Sequence, residues 1–351
     1  MKILVSALEH SANVHLEALT KEFKGDVELV GVFNEKLGKP IIDLRALAIM
    51  GIVDALKKLP FFLKLSKQML ALVPEVDKVL LIDSSGFNLP LAKKIKKRYP
   101  DKEIIYYILP QAWAWKKKRI PVLAKTIDHL ASILPFEPSY YPKNAPIEYV
   151  GHPLLDEITK RKSERSLGQT IAFMPGSRTS EIKTLMPYYI ALQKELKCDA
   201  VLIIPEYFKD RIETLYGDIS AFKVRYDAHQ ALYESDFAFI CSGTATLEAT
   251  LIGTPFVLSF IAKKLDYFIG SRLLKIEYIG LANIMFDKFQ QRAMHPELLQ
   301  DEVTLENLLK AYHEMDQQQF FNDALELQNY LRHGSSKRVA QIIEETHDLN
   351  R

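Results

Sequence analysis

An alternation between short, β-branched apolar runs and longer amphipathic stretches repeats along the chain and constrains its fold. This pattern is typical of βα units, whose strands pair in parallel under covering helices, so we predict an α/β protein. The first series of predicted strands is Ile3–Val5, Val27–Phe33, Lys78–Asp83, Ile104–Ile108 and Asp128–Leu134. The second series is Thr170–Met174, Ala200–Pro205, Lys223–Tyr226, Phe237–Cys241 and Pro255–Ser259.

The two series of strands lie on either side of Asp156–Gln169, a charged segment without apolar periodicity that we interpret as a linker. A chain of 351 residues exceeds what one hydrophobic core usually supports. We therefore expect two doubly wound, Rossmann-like domains, residues 1–160 and 161–335, that face a cleft. Apolar residues at helical spacing in Ser336–His347 predict a C-terminal helix within 336–351 that closes the structure.

Charge and cysteine content exclude several classes of function. The net charge is +2, from 46 Lys and Arg against 44 Asp and Glu, so we expect no nucleic-acid partner. Two cysteines cannot build a disulfide framework or a cysteine-rich zinc site. The histidines lack metal-ligand spacing, so we expect no metal. Without a membrane-spanning run or a signal-peptide core, the sequence predicts a protein of the reducing cytoplasm.

A candidate anion-binding turn follows the first strand of the second series. Phe173–Met174 leads through Pro175, Gly176 and Ser177 to Arg178, and a predicted helix spans Glu181–Leu196. The N–H groups at a helix start favour an anion, and a guanidinium suits a pair of phosphates. An ordinary turn with a surface arginine is the alternative interpretation.

A second candidate turn follows the strand Phe237–Cys241. Ser242, Gly243 and Thr244 allow close approach of a ligand, and Glu248 suits the two hydroxyls of a ribose. A capping box would produce a similar pattern. Because the chain contains neither GxGxxG nor GxxxxGKS/T, two such turns favour a nucleotide-sugar diphosphate over a dinucleotide or a nucleoside triphosphate.

The first domain offers Asp83, a lone carboxylate at the end of an apolar strand. A partly desolvated carboxylate there could act as a general base, and an Asx-turn or helix cap is the alternative. Trp113 and Trp115 follow another strand, where they could line a site or simply pack.

A basic amphipathic stretch also belongs to the first domain. Its apolar residues recur at helical spacing beside several lysines, which is typical either of a helix in an anionic membrane interface or of the buried face of a surface helix. The residues that we predict to face a membrane are Val53, Leu56, Leu59, Phe62 and Leu63.

Taken in order, a series of motifs across nearly the whole chain resembles the bacterial lipid-A-disaccharide synthase family. The motifs are Met50-Gly51-Ile52-Val53, Ile82-Asp83, Phe87-Asn88, Trp113-Ala114-Trp115, Lys118-Arg119, Leu134-Pro135-Phe136-Glu137, Val150-Gly151-His152-Pro153, Pro175-Gly176-Ser177-Arg178, Ser242-Gly243-Thr244-Ala245, Leu247-Glu248, Leu281, Asn283-Ile284 and Pro296-Glu297-Leu298-Leu299-Gln300.

The resemblance implies a GT-B glycosyltransferase that needs no metal or other cofactor. It would join UDP-2,3-diacylglucosamine to 2,3-diacylglucosamine 1-phosphate (lipid X) with inversion, and release UDP. Asp83 matches the family's essential aspartate, the base for the acceptor hydroxyl, and Arg178 matches its essential arginine, which stabilises the leaving diphosphate. The UDP-sugar site would comprise Gly176, Ser177, Arg178, Ser242, Gly243, Thr244, Glu248, Asn283, Glu297 and Gln300, and the acceptor side would comprise Glu9, Ser11 and Asn88.

The resemblance also implies that the protein associates peripherally with the cytoplasmic face of the inner membrane, through the apolar residues of the basic amphipathic stretch. It leaves open whether the protein forms a homodimer. Two departures stand out. The family's first turn, Gly-Glu-Ala-Ser-Gly-Asp, is Leu8–Asn13 here and keeps only Glu9 and Ser11. Gly86 replaces a family carboxylate, so we expect altered acceptor contacts. A UDP-sugar 2-epimerase on a similar scaffold, or a non-catalytic UDP-sugar-binding protein, would use the same turns.

Overall fold

The computed structural model describes residues 1–42, 59–165, 168–241, 243–262 and 277–345. The chain divides into two compact units. The first consists of Met1–Glu157 together with the chain from Arg332 onward, and the second is Ile158–Leu331. The divide after Glu157 lies inside the segment that the sequence marks as a linker.

The first unit is built on a parallel six-stranded sheet in the order β2-β1-β3-β4-β5-β6. Its strands are β1 Lys2–Ser6, β2 Glu28–Val32, β3 Lys78–Ile82, β4 Ile104–Tyr107, β5 His129–Ser132 and β6 Ile147–Tyr149. Its helices are α1 His10–Thr20, α2 Leu59–Leu72, α3 Ser85–Arg98, α4 Ala112–Trp115, α5 Ile120–Thr126 and α6 Pro153–Glu157.

The second unit repeats this plan with the sheet order β12-β11-β10-β7-β8-β9, again all parallel. Its strands are β7 Thr170–Met174, β8 Asp199–Ile203, β9 Phe222–Arg225, β10 Phe237–Ile240, β11 Phe256–Phe260 and β12 Glu297–Leu299. Its helices are α7 Thr179–Leu196, α8 Ile212–Tyr216, α9 Ala228–Glu234, α10 Ala245–Ile252, α11 Leu281–Gln290, α12 Leu305–Glu314 and α13 Gln317–Tyr330.

After the second unit the chain returns to the first with α14, Ser335–Glu344. Val339 and Ile343 of this helix are fully buried in the cluster that also contains Ile3 and Val5 of β1. The predicted C-terminal helix is therefore present, and it completes the apolar cover of one face of the first sheet.

Successive strand residues face opposite sides of a sheet, so a strand covered on both sides is apolar throughout. In β3, Val79 and Leu81 pack into one cluster, with α2 and α3, while Leu80 and Ile82 pack into the opposite one. This double cover explains why the central strands are unbroken apolar runs.

Each sheet has a topological switch point, where the direction of winding reverses and ligands of α/β proteins bind outside the carboxyl ends of the strands. In the first unit it lies between β1 and β3, and in the second between β7 and β10. The turns after these strands carry Glu9, Asp83, Arg178 and Gly243. Residues that the sequence singles out as candidates for the site therefore lie at the switch point of each sheet.

The predicted α/β class with two doubly wound parallel sheets is confirmed, and the ten predicted strands all form. The pattern missed β6 and β12, the three-residue edge strands of the two sheets. Each directly follows a proline, Pro146 or Pro296, whose carbonyl accepts a hydrogen bond from the neighbouring strand. Three residues after a proline, none of them fully buried, are too short a run to show strand periodicity.

None of the helices within the described part of the chain is both long and apolar enough to span a membrane.

Candidate active site

Asp83 is the residue at which the chain leaves β3, and its backbone is strained. Asp83 and Ser84 both have left-handed conformations, with φ of 50° and 42°. Tyr107 accepts a hydrogen bond from the Asp83 N–H at 3.1 Å, and the Tyr106 hydroxyl donates to the Asp83 carbonyl at 2.7 Å. Left-handed non-glycine residues persist only where the surroundings hold them, and they cluster at functional sites.

Asn88, predicted on the acceptor side, lies fully buried beneath this turn. Its amide donates to the carbonyls of Ile82 at 3.1 Å and Asp83 at 2.8 Å, and its oxygen accepts from the Ser6 hydroxyl at 2.6 Å. These bonds tie the end of β1 to the end of β3. The observed role of Asn88 is to hold the Asp83 turn in place.

The half-buried carboxylate of Asp83 has a raised pKa. Burial is the main cause, and the negative charge of Glu9 adds to it, while the Ser84 N–H and the His15 ring act in the opposite direction. The Ser84 hydroxyl also donates to Glu9 Oε1 at 3.2 Å, so the turns after β1 and β3 are in contact. A carboxylate with a raised pKa is a better proton acceptor near neutral pH.

The turn after β1 places two predicted acceptor-side residues at the surface. Glu9 is the N-cap residue of α1, Ser11 lies in the first turn of that helix, and both are exposed. Asn13 has a role that its sequence context does not indicate, because its buried amide donates to the carbonyls of Ala7 and Glu9 at 2.9 and 2.7 Å. An aspartate, which the resemblance predicts there, could not donate these bonds.

His15, two residues further along α1, is a second residue whose contacts the sequence does not indicate. Its Nδ1 lies 2.5 Å from a carboxylate oxygen of Glu157, and both side chains are 13% exposed. The only sequence signal was a histidine on the apolar side of the first helix, which is more often structural than functional.

Trp113 packs rather than lines an open surface. It is buried, with its ring 4.9 Å from Phe136 and 6.0 Å from Tyr140, centroid to centroid. The Trp115 side chain lies outside the described part of the structure.

In the second unit, the turn after β7 has the form expected for an anion site, and it already holds a carboxylate. Glu181 Oε2 accepts from the N–H groups of Ser177 and Arg178 at 3.2 Å, and Glu181 Oε1 lies 2.9 Å from the Arg178 guanidinium. Gly176 has φ 105°, and a Cβ there would lie 2.5 Å from Glu181 Oε2. The Arg178 side chain is 71% exposed.

The turn after β10 is open where the sequence predicts a ligand. Gly243 has φ 116°, and a Cβ there would meet nothing within 4 Å. Thr244 stands at the N-cap position of α10 without a side-chain capping bond. Glu248 lies in the first turn of that helix, with its side chain 18% exposed and Oε2 3.7 Å from His229 Nε2. Ser242 falls outside the described residues. β7 and β10 are paired neighbours, so these two turns lie side by side.

Asn283 and Glu297 hold another loop of the second unit together. Glu297 accepts from the N–H groups of Ile279 at 2.8 Å and Gly280 at 3.1 Å, and from the Asn283 amide at 2.8 Å. Asn283 is fully buried, donates also to the His295 carbonyl, and accepts from two backbone N–H groups. Burial raises the pKa of Glu297, and these hydrogen bonds oppose the shift.

Gln300, the last predicted donor-site residue, has a left-handed backbone with φ 54°. With its amide nitrogen facing the Ala262 carbonyl, its side chain makes two 3.2 Å hydrogen bonds to the Ala262 backbone. The hydrogen bonds of Asn283, Glu297 and Gln300 therefore go to the chain itself, and these residues shape the edge of the sheet beside β11.

Of the residues predicted to face a membrane, Val53 and Leu56 fall outside the described residues. Leu59 and Leu63 are 56% and 48% exposed at the start of α2. Phe62 is partly buried and packs on Phe87 of α3, with ring centroids 5.9 Å apart. The start of α2 therefore exposes two leucines beside Lys64 and Lys67, and the opposite side of the helix packs on the core.

Within the described ranges, no three His, Cys, Asp or Glu side chains are grouped so that they could hold a metal ion.

Comparison with known proteins identifies the family of the chain. The family model described as "Lipid-A-disaccharide synthetase" matches residues 3–343. The chain belongs to the lipid-A-disaccharide synthase family. Among curated proteins of that name, the one from Helicobacter pylori strain G27 is 49% identical over 96% of both chains. The one from Campylobacter jejuni strain RM1221 is 44% identical over 97% of this chain and 99% of its own. The chain is thus a glycosyltransferase of lipid A biosynthesis.

Solved structures support the GT-B fold of this synthase family member. MurG of Acinetobacter baumannii matches with a TM-score of 0.60 at 14% identity, over 98% of this chain and 99% of its own. The UDP-GlcNAc 2-epimerase of Methanocaldococcus jannaschii, solved with UDP-GlcNAc and UDP, gives a TM-score of 0.60 at 12% identity over the same shares. At such low identity the likeness concerns the fold alone.

Proposed function

We propose that the protein condenses UDP-2,3-diacylglucosamine with 2,3-diacylglucosamine 1-phosphate. The oxygen of the acceptor 6-hydroxyl attacks the anomeric carbon of the donor, the bond from that carbon to UDP breaks, and the hydroxyl proton passes to a base. The products are a β-1′,6-linked lipid A disaccharide 1-phosphate and UDP. The observation that carries the proposal is the near-full-length match to synthases at up to 49% identity.

On the acceptor side, Asp83 is the proposed base. Its raised pKa and its position at the switch point of the first sheet support this role. Glu9, which accepts from the Ser84 hydroxyl, and Ser11, in the first turn of α1, are both exposed and would contact the acceptor. Asn88 acts through Asp83, because it holds the Asp83 carbonyl and does not reach the surface.

On the donor side, Arg178 would stabilise the negative charge that develops on the diphosphate as UDP leaves. Its exposed guanidinium can bind two phosphate oxygens at once, so the proposed reaction needs no metal ion. Gly176, Gly243 and Thr244 would let the donor approach the backbone, with Ser242 in the same turn, and Glu248 would bind the ribose hydroxyls. Asn283, Glu297 and Gln300 would support this site indirectly, because their hydrogen bonds hold the neighbouring loops in place.

The exposed leucines of α2 support a further part of the proposal, which is peripheral binding to the cytoplasmic face of the inner membrane, where acylated substrates reside. Leu59 and Leu63 lie one helical turn apart and would enter the membrane interface, with Val53, Leu56 and Phe62 in the same stretch. Lys64 and Lys67 of the helix are exposed and would meet anionic headgroups.

The catalytic test uses purified protein, UDP-2,3-diacylglucosamine and 2,3-diacylglucosamine 1-phosphate, with UDP release and lipid mass both measured. We expect one UDP for each disaccharide formed, and neither product without acceptor. UDP release without a disaccharide, or epimerisation of the donor sugar, would contradict the proposal.

The membrane test compares binding to phosphatidylglycerol vesicles by flotation. A Leu59→Ser/Leu63→Ser variant should bind at least about tenfold more weakly, because two apolar side chains no longer enter the interface. Leu325→Ser is the matched control, since Leu325 is a 39% exposed leucine of the second unit. Equal binding of all three proteins would exclude this surface as the anchor.

A further inference from the structure

A small basic cavity opens beside the Asp83 turn. It measures about 190 Å³ and is lined by Ser85, Gly86, Leu89, Pro90, Lys93, Arg119 and Val122. Two of these residues are cationic and none is acidic. Since a water molecule occupies about 30 Å³ of liquid, the cavity has room for a group the size of a phosphate.

Arg119 reaches this cavity from the turn before α5. Its Nη1 donates to the Ser85 hydroxyl at 3.2 Å, across the start of α3. A guanidinium carries five N–H donors, so this bond leaves others that can pair with an anion. Lys93 approaches from two turns further along α3 and is exposed, and a Cβ on Gly86 would meet nothing within 4 Å.

The cavity lies close to the proposed base. Only Ser84 separates Asp83 from Ser85, so their Cα atoms are at most about 7.6 Å apart. The charge of Arg119 also acts on Tyr106, whose hydroxyl binds the Asp83 carbonyl: burial raises the pKa of Tyr106, and Arg119 opposes the shift. An acceptor sugar with its hydroxyl at Asp83 could therefore present a group on the far side of its ring to this cavity.

The remaining walls suit a lipid. Leu89, Pro90 and Val122 give one side of the cavity an apolar surface. Phe87, next to Gly86 in the chain, packs on Phe62 of the helix that carries the exposed leucines. The helix that lines the cavity, α3, is therefore packed against the helix that carries the exposed leucines, α2.

We propose that Arg119, Lys93 and Ser85 bind the 1-phosphate of the acceptor and so set its orientation against Asp83. This inference rests on the proposed function and deepens it, because it gives one part of the acceptor a defined place. A phospholipid headgroup carries the same chemistry, and the experiment separates these two sources.

The experiment measures kcat/KM for 2,3-diacylglucosamine 1-phosphate and for 2,3-diacylglucosamine without the phosphate. With the unchanged protein, loss of the phosphate should lower kcat/KM at least about tenfold for each charge-assisted contact removed. Arg119→Gln and Lys93→Gln should lower kcat/KM for the phosphorylated acceptor and leave that for the other acceptor nearly unchanged. KM for the UDP-sugar should not change.

Lys97→Gln is the matched control, since Lys97 is exposed on the same helix and does not line the cavity. If the Arg119 and Lys93 variants lose the same factor with both acceptors, the phosphate assignment is wrong even though the enzyme makes disaccharide. If they lose only binding to phosphatidylglycerol vesicles, the cavity is a membrane headgroup site, which also overturns the inference. A protein that converts neither acceptor contradicts the proposed function itself.

Discussion

The carboxylate of Glu181 lies 2.9 Å from the guanidinium of Arg178, and it also accepts the backbone N–H of that residue. An acidic side chain of the protein thus occupies the place that the sequence predicts for a diphosphate. The contact keeps the start of α7 ordered, as a capping residue does. It also holds the guanidinium, most of which stays exposed, at the mouth of the turn.

Arg178→Ala should lower kcat about 10²–10³-fold, the usual cost of losing a group that stabilises developing charge. Arg178→Lys should recover only part of this loss, because an ammonium cannot bind two phosphate oxygens as a planar fork does. Lys183→Ala, at an exposed position of the same helix, is the control. Normal turnover by Arg178→Ala would remove this residue from the mechanism.

Asp83→Asn should abolish most disaccharide formation, by about 10²–10⁴-fold, because the amide cannot accept the proton of the acceptor hydroxyl. Asparagine tolerates the left-handed backbone at this position, so the variant should fold. UDP binding, measured by calorimetry, should be unchanged. Asp77→Asn, just before the opposite end of β3, is the control and should be active; substantial activity of Asp83→Asn would refute the assignment of the base.

The acid limb of the pH–rate profile should depend on Glu9. The base works only when it is deprotonated. Because the pKa of Asp83 is raised, the loss of activity on acidification should begin at a higher pH than it would with an ordinary aspartate. Glu9→Gln removes a negative charge that raises this pKa, so the acid limb should move to lower pH. Glu17→Gln, on the exposed side of α1, should leave the limb in place; a limb unmoved by Glu9→Gln would contradict the coupling.

Asn283→Asp should destabilise the second unit by about 3 kcal/mol at neutral pH, because a second buried carboxylate would replace the amide that donates to Glu297. The two like charges raise each other's pKa, so the deficit relative to the unchanged protein should shrink as acidification protonates the pair. Denaturant unfolding at several pH values measures this. Asn322→Asp is the control, because Asn322 is exposed and its side chain only accepts a hydrogen bond, from Gln318, so the change should cost little at any pH; a deficit of Asn283→Asp that is independent of pH would exclude the charge pair as its cause.

The central strands could be identified from the sequence because they are covered on both faces. Nearly every residue of such a strand is buried, so the strand appears as an unbroken apolar run. The positions of Asp83 and Gly243 followed from this, since a residue just after a strand in a parallel sheet stands at its carboxyl edge. The edge strands β6 and β12 could not be identified in this way. Each pairs with one neighbouring strand only, and its own sequence carries no burial pattern.

The partners of the site residues could not be predicted in this way. Asn88 and Asn283 have the same residue type, and nothing in their local sequence indicates that each uses its amide to hold a turn from beneath. The bond between Ser84 and Glu9 joins residues 75 positions apart. Such contacts depend on the tertiary arrangement of the turns, which local spacing does not specify.

The return of the chain to the first unit has a consequence for folding during synthesis. The apolar face formed by Ile3, Val5 and their neighbours is completed by Val339 and Ile343 of α14. The ribosome must therefore make the whole of Ile158–Leu331 before that helix emerges, which takes on the order of ten seconds or more. For that interval α1 alone covers this side of the sheet, and the apolar side chains that α14 will cover stay exposed on the nascent first unit.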